Sequence, residues 1–380
     1  MQRSQTSVVN AVNIVMKFIA MIAVSHSALG YQSFTNLPGS RAAGMAGVFT
    51  AQADDATAIW YNPSGLSRPG LDSSEASIDW GDLVGRDEQG DISADDSSIK
   101  FAGVHIARLP DLSPLIQRPA LGIALLRPYN VDVDITEPRS ALDPTPFGRV
   151  AIDYAQASFQ ASMGLGKHAA IGATYDLLWS DVACLSFSPC ADDGPSGNGF
   201  TVAVSYYLPI SDLLELSGTL VARNKAAMDY DRVASSGIGR LLDDYAPDRP
   251  ASINAGANIR ATTSWGVANA NIDVAQINWS DSVDGAIEFD PDGMDYTRIG
   301  LGTEIILPMA SASLALRAGY ATETPENTKR FAEIDHWTLG VGLAINTRHF
   351  LDGALQWRDI SENANSDTQQ FLSLSYSLQF

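Results

Sequence analysis

The chain closes on a strict two-residue alternation. Leu372, Leu374, Tyr376, Leu378 and Phe380 are interleaved with Ser373, Ser375, Ser377 and Gln379. Successive side chains of an extended strand point to opposite faces, so this strand has one apolar and one polar face. The pattern recurs upstream. Trp337, Leu339, Val341, Leu343 and Ile345 alternate with Thr338, Gly340, Gly342, Ala344 and Asn346, and Phe200, Val202, Val204, Tyr206 and Leu208 alternate with Thr201, Ala203, Ser205 and Tyr207. Alternation and turn residues together predict fourteen strands, over 73–82, 97–108, 119–134, 150–165, 168–180, 198–208, 213–224, 250–260, 265–278, 295–307, 312–320, 335–346, 350–359 and 370–380. A membrane tolerates such strands only in a closed barrel, where every backbone group bonds to a neighbour and no edge remains. The expected fold class is therefore all-β, a transmembrane antiparallel β-barrel of fourteen strands.

From the fourth strand onward, short turns alternate with long polar connections. The turns are Gly166-Lys167, 208–212, 261–264, 307–311 and 347–349; the connections are 181–197, 225–249, 279–294, 321–334 and 361–369. Short turns on one side and long loops on the other are the bacterial barrel pattern. Six of the seven tryptophans, Trp80, Trp179, Trp265, Trp279, Trp337 and Trp357, fall near predicted strand ends, where an amphipathic ring would sit at the headgroup level. No apolar run reaches the roughly 20 residues of a membrane helix.

The first thirty residues read as a secretory leader, with basic Arg3 and Lys17, an apolar stretch from Ile14 to Val24, and a small-residue exit at Ala28-Leu29-Gly30; Met16 is an alternative start. In an exported chain, Cys184 and Cys190, in one predicted external loop, are expected to form a local disulfide. Residues 31–72 lack alternation and are rich in small side chains, which suits compact packing inside a lumen. Asp54 or Asp55 can cap a helical turn through 56–60, and Pro63 forces Asn62 out of the helical region. The expected layout is a leader over 1–30, a plug (hatch) over 31–72 and a barrel over 73–380.

Three pieces of that segment, Gly44-Met45-Ala46-Gly47, Ala53-Asp54-Asp55-Ala56 and Asn62-Pro63-Ser64-Gly65-Leu66, resemble the N-terminal hatch of the outer-membrane long-chain fatty acid and aromatic hydrocarbon transporters, the FadL type. Weaker similarity runs through Arg249-Pro250-Ala251-Ser252, Ile277-Asn278-Trp279-Ser280 and Leu316-Arg317-Ala318-Gly319-Tyr320. The related barrel of type IX protein secretion carries similar hatch wording, so a secretion or adhesin role stays open. The resemblance implies a monomer in the bacterial outer membrane, in contact with lipid bilayer and lipopolysaccharide, that passes a hydrophobic small molecule without a cofactor. It makes Gly44, Gly47, Asp54, Asp55, Asn62, Pro63, Gly65 and Leu66 plug residues and puts Tyr31, Phe34 and Phe49 near a ligand. It also implies a sideways exit at a kink in the third strand, where Arg127-Pro128 stands. Proline removes a ladder donor, so Pro128 marks either such a kink or the end of the strand at Leu126.

The face opposite the apolar one carries Arg223, Arg260, Arg298, Arg317 and Arg358 against Asp176, Glu215, Asp273, Glu304 and Asp352. Such balance selects neither cations nor anions and suits holding a plug. The net charge of −20 disfavours nucleic acid as a partner. Its acids concentrate in loops 83–96 and 279–294, which could bridge divalent ions but lack EF-hand spacing; no metal site is predicted. Five scattered histidines and the absence of a Gly-x-Ser-x-Gly elbow argue against hydrolytic chemistry.

Overall fold

The structure, a computed structural model, describes residues 32–35, 37–86, 98–107, 109–135, 148–184, 196–229, 248–280, 295–328, 332–362 and 365–380. Its strands are β1 (Gln32–Thr35), β2 (Glu75–Arg86), β3 (Ser98–Ile106), β4 (Ile116–Ile135), β5 (Gly148–Leu165), β6 (Ala169–Cys184), β7 (Ser196–Ser211), β8 (Leu214–Arg223), β9 (Met228–Asp229), β10 (Ala251–Thr263), β11 (Gly266–Asn278), β12 (Tyr296–Pro308), β13 (Ala312–Pro325), β14 (Glu333–Ile345), β15 (His349–Glu362) and β16 (Asn365–Gln379). Setting aside β1 and β9, fourteen strands pair antiparallel in sequence order, and β16 returns to β2 to close the ring. The closure continues past the last strand, where Phe380 N–H donates to Ser74 O at 3.0 Å and Ser74 N–H donates to Phe380 O at 3.2 Å.

Burial follows the alternation. On β7, Phe200, Val202, Val204, Tyr206 and Leu208 are exposed while Thr201, Ala203, Ser205 and Tyr207 are buried; on β14, Trp337, Leu339 and Val341 are exposed while His336 and Thr338 are buried. Each large apolar side chain moved from water into hydrocarbon is worth about 1.5–3 kcal/mol, so an exterior built this way is a lipid-facing surface. A closed, even-stranded antiparallel barrel with that exterior is the architecture of the bacterial outer membrane. Among the described residues no helix is long and apolar enough to cross a membrane.

Two expectations are corrected. The polar stretch 361–369 is not a loop: β15 runs to Glu362 and β16 starts at Asn365, with Ser361 opposite Ser366 and Glu362 opposite Asn365. Ladder bonds come from the backbone, so polar side chains mark strand that stands above the hydrocarbon, and β13 likewise continues to Pro325. Trp80, Trp179, Trp337 and Trp357 therefore lie inside strands, while Trp265 in the β10–β11 turn and Trp279 just past β11 keep to strand ends as expected. Trp337 is the register partner of both Tyr320 and Trp357, an aromatic row at one level across three strands, with the Tyr320 and Trp337 rings 4.4 Å apart. Trp279 leaves the belt altogether and is buried among Phe49, Tyr61 and Tyr154 in the inner cluster.

The core lies inside the ring. Residues 37–72 form two helical turns, Ser40–Ala43 and Ala58–Tyr61, and a 3-10 turn at Gly65–Ser67, and nearly all of residues 37–68 are buried. Met45, Phe49, Ile59, Trp60 and Leu66 pack there with Phe101, Leu126 and Leu178 of the wall. The proposed leader, Tyr31, Cys190 and most of the acidic loop residues lie outside the described residues; of Phe34 and Cys184 only the backbone is described.

Candidate functional site

Two features set this barrel apart: a buried N-terminal segment bonded around the ring, and a defect in β4. The segment reaches the wall through charged and polar groups. Arg41 donates from Nε to Glu304 Oε1 at 2.9 Å and from Nη2 to Oε2 at 3.0 Å, while its Nη1 donates to Asp54 at 2.6 Å. Glu304 of β12 is fully buried and also accepts from Gln52, Asn269 and Arg317. Asp273 of β11 accepts the Phe49 and Thr50 N–H groups at 2.9 and 3.0 Å, and Asp79 of β2 accepts from Ser40 Oγ at 2.6 Å. From the wall, Arg298 donates to Ala46 O and Arg223 donates to Trp60 O at 2.9 Å with its guanidinium 3.9 Å from the Trp60 ring. Arg68 donates to Glu215 of β8 at 2.7 Å.

The motif residues have physical explanations. Asp55 Oδ1 accepts the Thr57 N–H at 2.9 Å just ahead of the Ala58–Tyr61 turn, and Asn62 is extended (φ −162°) before Pro63, as proline requires of its predecessor. Asn62, fully buried, donates to Thr50 O and Ser205 Oγ and accepts from Ser64 N–H and Oγ. Gly65 lies against Ala53 O, where a Cβ would sit 2.0 Å away, and Gly47 takes the left-handed conformation (φ 70°) that glycine alone adopts freely. Leu66 joins the inner cluster, and Gly44 faces Gly340 of β14, backbone to backbone. Burial pushes the Asp55 carboxyl above its usual range, against the pull of Arg41, and raises the Tyr61 hydroxyl as well.

Pro128 does not end its strand. β4 continues to Ile135, but pairing with β5 steps from Leu126 opposite Gln156 to Tyr129 opposite Tyr154, so Arg127 and Pro128 form a bulge with one extra residue. Pairing with β3 stops at Leu126, and from Tyr129 to Asp132 the freed edge of β4 pairs with β1 instead. A cavity of about 260 Å³ lies at this break, lined by Ile99, Leu125, Leu126, Arg127, Tyr154, Ala155, Gln156 and Trp179. Ile99, Leu125 and Trp179 are exposed on the lipid side whereas Leu126, Tyr154 and Gln156 are buried toward the inside. Neighbouring side chains of a strand face opposite ways, so the cavity draws its lining from both faces of the wall at the break.

No protein-family model and no curated protein matches the chain. Among solved structures, the monoaromatic hydrocarbon channel CymD superposes with a TM-score of 0.62 at 14% identity, over 91% of this chain and 99% of that one. The Ralstonia pickettii toluene transporter TbuX and a Pseudomonas aeruginosa FadL homologue each give 0.57 at 12% identity with the same coverage. The fold is that of the FadL-type channels.

Within the FadL-type fold, Gly44, Gly47, Asp54, Asp55, Asn62, Pro63, Gly65 and Leu66 are brought together inside the ring, with Arg127-Pro128 in the wall. Phe49 is in the inner cluster, edge-on to Tyr61, and does not line the wall cavity. Sequence reasoning missed Arg41 and Arg68 as segment anchors. It also missed Arg249, which is fully buried with Nη1 2.6 Å from Asp176 and 3.3 Å from Gln156. Of the balanced lumen charges, Arg223, Arg298, Glu215, Asp273 and Glu304 touch the segment directly, and that balance was the available signal.

Proposed function

We propose that this barrel admits hydrophobic small molecules, of the class of aromatic hydrocarbons or long-chain fatty acids, by passive diffusion, with residues 37–72 as a plug and the β4 break as a sideways exit. The observation that carries the reading is the cavity at the β4 break, lined from both faces of the wall. An apolar cavity of about 150 Å³ holds a benzene ring; this one is larger, with Leu125, Leu126, Tyr154 and Trp179 in its lining beside Arg127 and Gln156. The plug is bonded to β2, β7, β8, β11 and β12, which suits a fixed stopper that turns cargo aside. Release into lipid suits such cargo, because each CH₂ kept from water is worth about 0.8 kcal/mol. Solved proteins of this fold include a monoaromatic hydrocarbon channel and a toluene transporter, which supports the same substrate class here.

The test is uptake of labelled toluene, and separately of a labelled long-chain fatty acid, by cells carrying the protein. Ala155→Trp fills the cavity from β5 and is expected to cut uptake several-fold while the barrel still inserts. Undiminished uptake in that variant would refute the sideways exit, and absence of uptake by the unaltered protein would refute the transport reading.

A further inference from the structure

The kinked strand carries a second Arg-Pro step that sequence reading passed over. Arg118-Pro119 lies nine residues before Arg127-Pro128, and there too β4 takes an extra residue against β5, stepping from Gln117 opposite Gly164 to Ala120 opposite Ser162. Arg118 is held in left-handed backbone (φ 48°), which a side-chain-bearing residue adopts only where its surroundings impose it. Its own N–H donates to Asp111 Oδ1 at 2.8 Å.

The guanidinium sits in a prepared seat. Its Nε donates to Ser67 O at 3.1 Å, in the last turn of the N-terminal segment, and its Nη2 donates to Gly166 O at 3.0 Å, in the turn joining β5 to β6; Nη1 donates to Gln117 Oε1 at 3.2 Å. Gly164 forms the floor, for a Cβ there would lie 2.3 Å from Nη2. The same turn of the segment is tied to β5 through Ser67 Oγ and Ser162 Oγ at 2.7 Å and through Gln160 Nε2 donating to Pro63 O at 2.8 Å. The strands that carry the wall cavity, β4 and β5, are thus the strands that grip the end of the plug.

We propose that Arg118 is a positioning residue that latches the plug's last turn to the base of β4, sealing the short-turn end of the lumen so that cargo leaves through the wall above. This deepens the plug-and-side-exit reading and rests on it. The planar fork is needed because two carbonyls, one on the plug and one on the wall, must be bonded at once.

The test uses the full chain in liposomes and reads two quantities, hydrogen exchange at the Ser67 and Arg68 amides and leak of a monosaccharide. Arg118→Ala is expected to raise exchange by about a hundredfold or more, as loss of two charge-assisted bonds on a locally opening unit implies, and to raise leak with it, with wild-type gel mobility before and after boiling. Arg118→Lys, able to reach one carbonyl at a time, is expected to fall between. Gly164→Ala leaves Arg118 in place but evicts its guanidinium, so it should match Arg118→Ala and carries the test if that variant fails to insert. Wild-type exchange and leak in Arg118→Ala and Gly164→Ala overturn the proposal, as does faster exchange with no leak. Neither reading involves a hydrocarbon, so a protein that passes no hydrocarbon but leaks sugar as expected refutes the transport reading and leaves the latch standing.

Discussion

Glu304 shows how single residues hold the buried N-terminal segment. It is fully buried on β12 and takes bonds from Arg41, Gln52, Asn269 and Arg317, while Arg317 also donates to Asp352 at 2.6 Å. Removing one partner of a buried pair leaves the other charge uncompensated, at a cost of about 3–5 kcal/mol. Glu304→Ala is accordingly expected to loosen the segment by about that amount, read as faster hydrogen exchange from Arg41 to Gly47, with the barrel intact. The Arg41–Glu304 pair joins residues 263 apart, and no local pattern could announce it. Two wall glycines show a different way of seating the segment. Gly172 and Gly319 occupy positions where Cβ atoms would meet Pro63 at 2.4 Å and Met45 at 2.2 Å, and small residues on the inner face of a strand signal that another backbone comes close. Gly319→Val should therefore displace the Met45 turn and raise sugar leak without lowering barrel yield, whereas Gly218, with no atom near, should accept valine silently.

At the scale of elements, strands were legible wherever the two faces of the wall meet different solvents. Within the bilayer the contrast of lipid and packed interior writes the alternation into β7, β14 and β16. Above it both faces are wet, the contrast vanishes, and the continuation of β15 and β16 through Ser361–Ser366 pairing left no trace in the sequence. Pro128 was ambiguous for a related reason. Proline reports a lost donor but not whether the chain goes on, and here β4 continues by exchanging its neighbour β3 for β1. Restoring a strand former with Pro128→Val is expected to flatten the bulge, extend β3–β4 pairing beyond Leu126 and reduce uptake of labelled toluene several-fold. Unchanged uptake with normal insertion would separate the bulge from the exit.

For the whole molecule, the closed ladder predicts that folded and boiled protein migrate differently on a gel, since a ring without an edge has no place to start unzipping. A chain that stays soluble without detergent and ignores boiling would contradict the fold. The barrel was readable from alternation, but the seat of the N-terminal segment was not: it depends on contacts made only once the ring has closed, as when β4 and β5 line the wall cavity and also bond the turn at Ser67. The sideways route and a straight route past the N-terminal segment differ in where cargo touches the protein. Photolabelling with an aromatic hydrocarbon bearing a diazirine, followed by mapping of the modified residues, measures that directly. Labels on Leu126, Tyr154 and Trp179 are the predicted result. Labels at Pro63, Ser67 and Arg118, with the wall cavity unmarked, would mean that cargo passes straight down beside the plug and would contradict the sideways route.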